Sequence, residues 1–289
     1  TQMLGEGVIV RVLGKSGEPD VETQAVIAAF SLPGEFPEEC VDQAHEAASQ
    51  FDEEIKLLER APADGDRHKT IAGSSLPRLD LTGDYIITID PPDAKDYDDA
   101  ISIVKTDRGW DLAVHIADVA HFISPRTPLD EEAKERGNSV YLPRLVIPML
   151  PEVLSNGICS LQEGVPRFCK SSFMSYDKDG NIRGEGVAST LIKSAKRLTY
   201  LEAQALIDGN REEAMRHAKT EPRYTDELVH TLREMNALAK AIQARRHKQG
   251  MISLELPDVV LIFDDDGHVI DAEREDDAFT HTPIEMFMV

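Results

Sequence analysis

Residues 88–100 read TIDPPDAKDYDDA and place five aspartates, Asp90, Asp93, Asp96, Asp98 and Asp99, between two apolar runs. Carboxylates this close repel one another, and holding them in one folded loop is costly unless cations or hydrogen bonds compensate. Pro91 and Pro92 exclude a helix at the start of the segment and stiffen it. The chain must therefore present a rigid acidic loop on a β framework. Three readings of that loop follow from its residue types. It is a divalent-metal site with hard oxygen ligands, Mg²⁺ above all. Alternatively it is a solvated acidic loop, or a calcium loop, although the glycine and closing glutamate of an EF-hand are missing. In the first reading, two ions can clamp the attacking and leaving oxygens of a phosphodiester.

The flanking patterns give the framework. Residues 84–89, 100–105 and 110–116 have the β-branched, apolar character of strands. Residues 168–176 and 182–191 predict a hairpin around Asp179-Gly180-Asn181, and 259–263 with 269–271 a second one. Residues 37–60 carry apolar side chains at helical spacing, 128–136 form a short charged helix, and 226–248 a long one that stops at Gly250. Thr199 with Glu202 three residues later is a capping box opening a helix to about Ile207. Residues 5–13 predict a strand followed by a turn at 14–17, and 21–30 is strand or helix. Residues 61–75 are loop. Residues 140–154, interrupted by Pro143, Pro148 and Pro151, predict a fixed irregular path. The fold class is α+β, a mixed β-sheet surrounded by helices.

Composition limits the function. Of 289 residues, 41% are hydrophobic and 29% charged, as in soluble globular chains, and no apolar run is long enough to cross a membrane. No secretory signal is visible, and Cys40, Cys159 and Cys169 lack metal-ligand spacing. Reduced thiols in a cytoplasmic protein are expected. The net charge of −22, from 53 acidic and 31 basic residues, opposes phosphate binding. It is compatible with a nucleic-acid enzyme only if the acids bind metal and basic surfaces lie elsewhere. The chain opens at Thr1 without Met and ends at Val289 inside an apolar stretch, so both ends are expected to be cuts in a longer protein.

The loop, together with GWDLAVHIADVAHFI at 109–123, TPLDEEAKERGNSVYLP at 127–143, VIPMLPEVLSNGICSL at 146–161, RLTY at 197–200, QGMISLE at 249–255 and PIEMFMV at 283–289, resembles the ribonuclease II/ribonuclease R family, with its RNB catalytic domain. Order and spacing hold over residues 30–289. Residues 1–32 resemble only the last strands of a cold-shock (OB-fold) domain, which implies a boundary near 32 and the N-terminal part of the RNB domain over 33–289.

The resemblance implies processive 3′→5′ hydrolysis of single-stranded RNA to nucleoside 5′-monophosphates with Mg²⁺, for which Mn²⁺ is a possible substitute. It implies Asp90, Asp96, Asp98 and Asp99 as the four catalytic, metal-holding aspartates. Asp90 and Asp99 would be the direct ligands, Asp96 a supporting one, and Asp98 the residue whose loss most damages chemistry. Tyr141 matches the tyrosine that packs on the 3′-terminal base. Leu254 stands where several relatives carry a phenylalanine, and a leucine packs against a base without stacking. The family's later SPIRRY-type segment, which presents an arginine to the scissile phosphate, has no counterpart here. The missing C-terminal part is thus an expected partner, and the 289 residues alone are expected to be nearly inactive.

From residue type alone, Arg144 and Arg167 flank the proline-rich path as candidate phosphate contacts, with surface ion pairs as the alternative. His115 is expected to be a hydrogen-bonded structural histidine, and the DDDG at 264–267 a hairpin turn. Two competing functions stay open. One is a degenerate relative that binds RNA without cutting it, which the intact aspartates oppose. The other is an acidic interaction module.

Overall fold

The computed structural model describes residues 8–60, 68–69, 77–252, 259–274 and 281–288. Two helices come first, α1 (Pro19–Ala29) and α2 (Glu38–Arg60). The strands β1 (His68–Lys69), β2 (Arg78–Asp80), β3 (Ile86–Asp90), β4 (Asp99–Lys105) and β5 (Gly109–Ala117) follow. After α3 (Pro128–Arg136) come the short β6 (Val140–Leu142) and β7 (Leu145–Ile147), a π-helix over Val153–Ile158, and the long β8 (Pro166–Asp177) and β9 (Ile182–Thr199). The remainder is α4 (Tyr200–Ile207), α5 (Arg211–His217), α6 (Asp226–Lys248), the hairpin β10 (Val259–Phe263) and β11 (Val269–Arg274), and α7 (His281–Met288).

Seven strands form one mixed sheet, and β9 is its hub. Its first part pairs antiparallel with β8, its last six residues pair parallel with β3, and Thr190 and Leu191 also pair with β2. The ladder β9–β3–β4–β5–β8 returns to β9, so the five strands close into a ring of pairings. Strand alternation then sorts side chains to two faces. Ile87, Ile89, Ile101, Leu112, Val114 and Leu198 pack with Leu228, Leu232, Met235 and Ile242 of α6 and Ala203 and Leu206 of α4. Their sequence neighbours Ile86, Ala100, Ala117, Cys169 and Ile192 pack with Cys40 and Ala44 of α2, Leu129 of α3 and Leu154 of the π-helix. The expected capping box is present, and further caps accompany it. The Thr199–Glu202 capping box is formed, Thr127 and Thr225 cap α3 and α6, and Gly137 ends α3 at φ +74.

The structure departs from the sequence reading in four places. Residues 8–13 join no ladder among the described residues, with Val8, Ile9, Val10 and Val12 exposed, whereas 21–30, open between strand and helix, lies in α1 and its C-cap Phe30. A strand without a neighbour has no hydrogen bonds to define it. The proline-rich stretch is more regular than expected. Pro143 and Arg144, the latter at φ +68, turn the β6–β7 hairpin, and Pro151 accepts the first bonds of the π-helix through its carbonyl. β9 runs eight residues past Leu191, because Lys193, Lys196 and Arg197 hid the alternation that continues beneath them. The seven-residue α5, capped by Asn210, was not anticipated. All three cysteines are buried and free.

One polar chain crosses the buried face. His115, fully buried, bonds Ser102 Oγ at 3.1 Å and Ser171 Oγ at 2.7 Å, and Ser171 bonds Thr190 Oγ1 at 2.6 Å. Burial pushes the imidazole down to about 4, so it is neutral, in keeping with a structural histidine. Ser171 serves two partners at once. Ser171→Ala leaves both short of a bond and is expected to destabilise the protein by roughly 1–3 kcal/mol, read as a lower urea midpoint at unchanged slope.

Candidate active site

The acidic loop joins β3 to β4, so Asp90 ends one strand and Asp99 begins the next. Its path is fixed from three sides. Within the loop, Ala94 N–H donates to Pro91 O and the Tyr97 hydroxyl to Ala94 O. From the segment after the π-helix, the fully buried Ser160 donates to Lys95 O at 3.0 Å and accepts from Tyr97 N–H at 3.1 Å, while Leu161 N–H donates to Tyr97 O at 2.8 Å. From β5, Ala117 N–H donates to Asp98 O at 2.9 Å. The parallel β3–β9 register sets Thr88 beside Arg197 and Asp90 beside Thr199 on one face. The Arg197 guanidinium therefore reaches over the loop entry, donating to Pro91 O at 3.3 Å and Pro92 O at 3.5 Å, with its carbon 4.7 Å from the centre of the Tyr97 ring.

The electrostatics are those of crowded acids. Asp90 is 7% exposed, and its Oδ2 has no hydrogen-bond partner among the described residues. Burial and the neighbouring Asp99 push its carboxyl up to about 7, against the opposing pull of Arg197. Burial and Asp98 push Asp99 up to about 6, and burial with Asp96 raises Asp98. The Tyr200 hydroxyl is pushed up to about 12 by burial and by Asp90 and Asp99, so it stands near both. The donor set suits a hard divalent cation: all-oxygen, anionic, with one buried carboxylate oxygen left without a partner. Among the described residues, no three of the loop's carboxylates bring their oxygens within 4.8 Å of one another. The one set of three groups among the described residues with ligand atoms all within 4.8 Å is Asp264, Asp266 and His268, exposed at the β10–β11 turn, where the Asp264 carboxylate accepts the His268 N–H across the turn.

Of the other residues singled out from sequence, Tyr141 lies at the loop. Its exposed ring carries a hydroxyl that donates to Asp96 Oδ2 at 3.0 Å. Arg144 faces away. Its guanidinium lies over Gly267, so close that a Cβ there would meet Nη1 at 1.5 Å. Arg167 serves the main chain, with Nε on Ser160 O at 2.8 Å, Nη1 on Pro166 O at 2.9 Å and Nη2 on Gly157 O at 3.2 Å. Leu254 lies outside the described residues. Sequence reasoning passed over Ser160, Arg197 and Tyr200. The motif RLTY contained two of the three, but its capping box explained it without them.

The RNB domain model matches residues 78–289 and the cold shock domain model residues 1–37. The chain belongs to the RNB-domain family. It is 36% identical over 287 residues to Ribonuclease R of Thermotoga maritima, covering 98% of this chain and 37% of that protein. It is 33% identical to Ribonuclease R of Escherichia coli over 284 residues, covering 98% of this chain and 32% of the relative. The apo form of Mycoplasma genitalium RNase R superimposes with a TM-score of 0.79 at 30% identity, covering 96% of this chain and 39% of the other. The chain thus spans about a third of the length of these relatives.

The raised carboxyls give a pH signature. A group whose folded pKa lies above its unfolded value supports the fold below the unfolded pKa, and that support fades as pH rises through the folded pKa. Neutral His115 has the opposite slope below about pH 6.5 and offsets part of this change. Without divalent metal, Asp90→Asn is therefore expected to gain stability relative to wild type on going from pH 5 to pH 8, on the order of 2 kcal/mol. Paired urea titrations in EDTA measure this, and parallel wild-type and variant curves refute it.

Proposed function

We propose that this chain forms the acidic-site portion of a Mg²⁺-dependent exoribonuclease that degrades single-stranded RNA from its 3′ end to nucleoside 5′-monophosphates. The observation that carries the reading is the buried, unpaired Asp90 carboxylate oxygen beside Asp98 and Asp99, inside the RNB-matched region. The named relatives support it. They are called Ribonuclease R, and the Mycoplasma genitalium enzyme has been solved in complex with ribose methylated single-stranded RNA and with double-stranded RNA.

Asp90, Asp96, Asp98 and Asp99 would hold the metal, with Mn²⁺ able to replace Mg²⁺. When bound, the ion supplies Lewis-acid polarisation of the phosphate and a water of lowered pKa. The protein's own groups do the positioning. Ser160, Leu161 and Ala117 fix the loop backbone, so the carboxylates keep their mutual geometry as charge changes. The Tyr141 ring, exposed and tethered through its hydroxyl to Asp96, offers a flat apolar face to the terminal base. Arg167 acts through the main chain it holds, and Arg144 sits at the β10–β11 turn. The same family supports a second reading, an RNA binder that does not cut. The crowded carboxylates disfavour it, because their retention is costly without a cation to share.

In the full-length protein, Asp98→Asn is expected to lower the cleavage rate of a 5′-labelled single strand by roughly three orders of magnitude while changing RNA affinity little. Cleavage near the wild-type rate overturns the assignment. Mg²⁺ should raise the thermal midpoint relative to EDTA, since a ligand of the folded state stabilises it, and Asp99→Asn should abolish that shift. A non-cutting binder would bind RNA and release no monophosphate. Residues 1–289 alone are expected to release monophosphate far more slowly than the full-length protein, because basic phosphate contacts dominate RNA affinity and this chain carries a net charge of −22.

A further inference from the structure

The acidic loop contains a cation of its own. Arg197 is 7% exposed, and its guanidinium lies inside the curve of residues 91–97. One face stacks on Tyr97 near the loop's end, and one edge bonds the carbonyls of Pro91 and Pro92 at its start. Its Nε is buried without a partner among the described residues, as is Asp90 Oδ2 close by. The backbone on either side is pinned. Arg197 N–H donates to Glu163 Oε2 at 3.0 Å, and Thr220 Oγ1 donates to Arg197 O at 3.3 Å. Its neighbour Lys196 bonds Glu163, Thr220 and Glu221 O. Nη2 alone reaches both carbonyls while the guanidinium carbon lies over the Tyr97 ring, so one side chain joins the start of the loop to its end.

We infer that Arg197 is a positioning residue that braces the aspartate loop in its closed shape independently of divalent metal. Carboxylates at Asp90, Asp96, Asp98 and Asp99 drive the loop open by repulsion. A fixed guanidinium joining its two ends opposes that opening. The metal then binds a loop already shaped, rather than having to shape it. The inference rests on the proposed metal site only for its consequence; the brace itself is a property of the metal-free chain. A lysine cannot perform the same task. Its ammonium is a point charge without a plane to lie over the Tyr97 ring.

Hydrogen–deuterium exchange on the full-length protein in EDTA tests the brace without any catalytic readout. In Arg197→Gln, a peptide covering residues 91–98 should exchange roughly tenfold faster than in wild type, while peptides from β4, β5 and β8 keep their wild-type rates. Arg197→Lys should resemble the glutamine variant rather than wild type. Mg²⁺ should slow the loop's exchange again, and the Mg²⁺ concentration giving half-maximal cleavage should rise with the Michaelis constant for RNA unchanged. Should Arg197→Gln fail to fold, Tyr97→Leu, which removes only the stacking partner, is expected to loosen the same peptide. Wild-type exchange in the 91–98 peptide of both variants overturns the inference. A loosened loop in a protein with no Mg²⁺ effect on exchange or stability leaves the brace intact and sinks the metal reading instead.

Discussion

Everything at the acidic site depends on the parallel pairing of β3 with the last third of β9. That short ladder, Ile86 to Asp90 against Ser194 to Thr199, decides which side chains share a face with Asp90. It closes the ring of strands, carries Arg197 to the loop entry, and places Tyr200 at the start of α4 beside two aspartates. A one-residue slip of β9 against β3 would send Arg197 to the face opposite Asp90, into the aliphatic cluster under α6. The pairing is itself guarded by buried polar bonds. Glu163 joins Lys196, Thr220 and the Arg197 amide, so the register is fixed by groups with no alternative partners at a shifted position.

Burial and charge work against each other here, and the balance explains the site's chemistry. Removing Asp90 from water favours its protonated form, whereas a metal or substrate-binding role calls for the anion. Arg197 moves the balance partway toward the anion but does not bond the carboxylate. The result is a carboxyl near the middle of its titration at neutral pH, and so responsive to any further cation. His115, buried on the sheet next to Ser102 and Ser171, shows the contrast. Its two nitrogens are satisfied by hydroxyls and it stays neutral.

Much of this was legible in the sequence. The apolar alternation of 84–89, 100–105 and 110–116, the capping box at Thr199 and the long helix to Lys248 all announce themselves by period or by cap, and the structure has each of them. The acidic loop was found by charge density alone. Three things were hidden. The closure of the ring by β9 joins residues more than a hundred positions apart, and its strand is masked by lysines that alternation rules count as breaks. Arg197 carries no local sign of its direction, since only register turns it toward Pro91. Ser160 is a small polar residue in an apolar stretch, and its hydrogen bonds to Lys95 and Tyr97 cross more than sixty residues.

The π-helix over Val153–Ile158 ties the length of the chain to the geometry of the site. Its wide turn, closed by the bond from Cys159 N–H to Leu154 O, holds one residue more than an α-turn and leaves the Gly157 and Ser160 carbonyls for Arg167. Each residue of a helix rotates its successors by roughly 100°. Trimming that extra residue would swing Ser160 off the Lys95 carbonyl, although every side chain named in the acidic loop would be intact. The segment between Pro151 and Pro166 is therefore also a spacer, in which the residue count matters alongside the buried side chains of Leu154, Ser160 and Leu161. Across descendants of this sequence, insertions and deletions there should be purged as strictly as changes at Ser160.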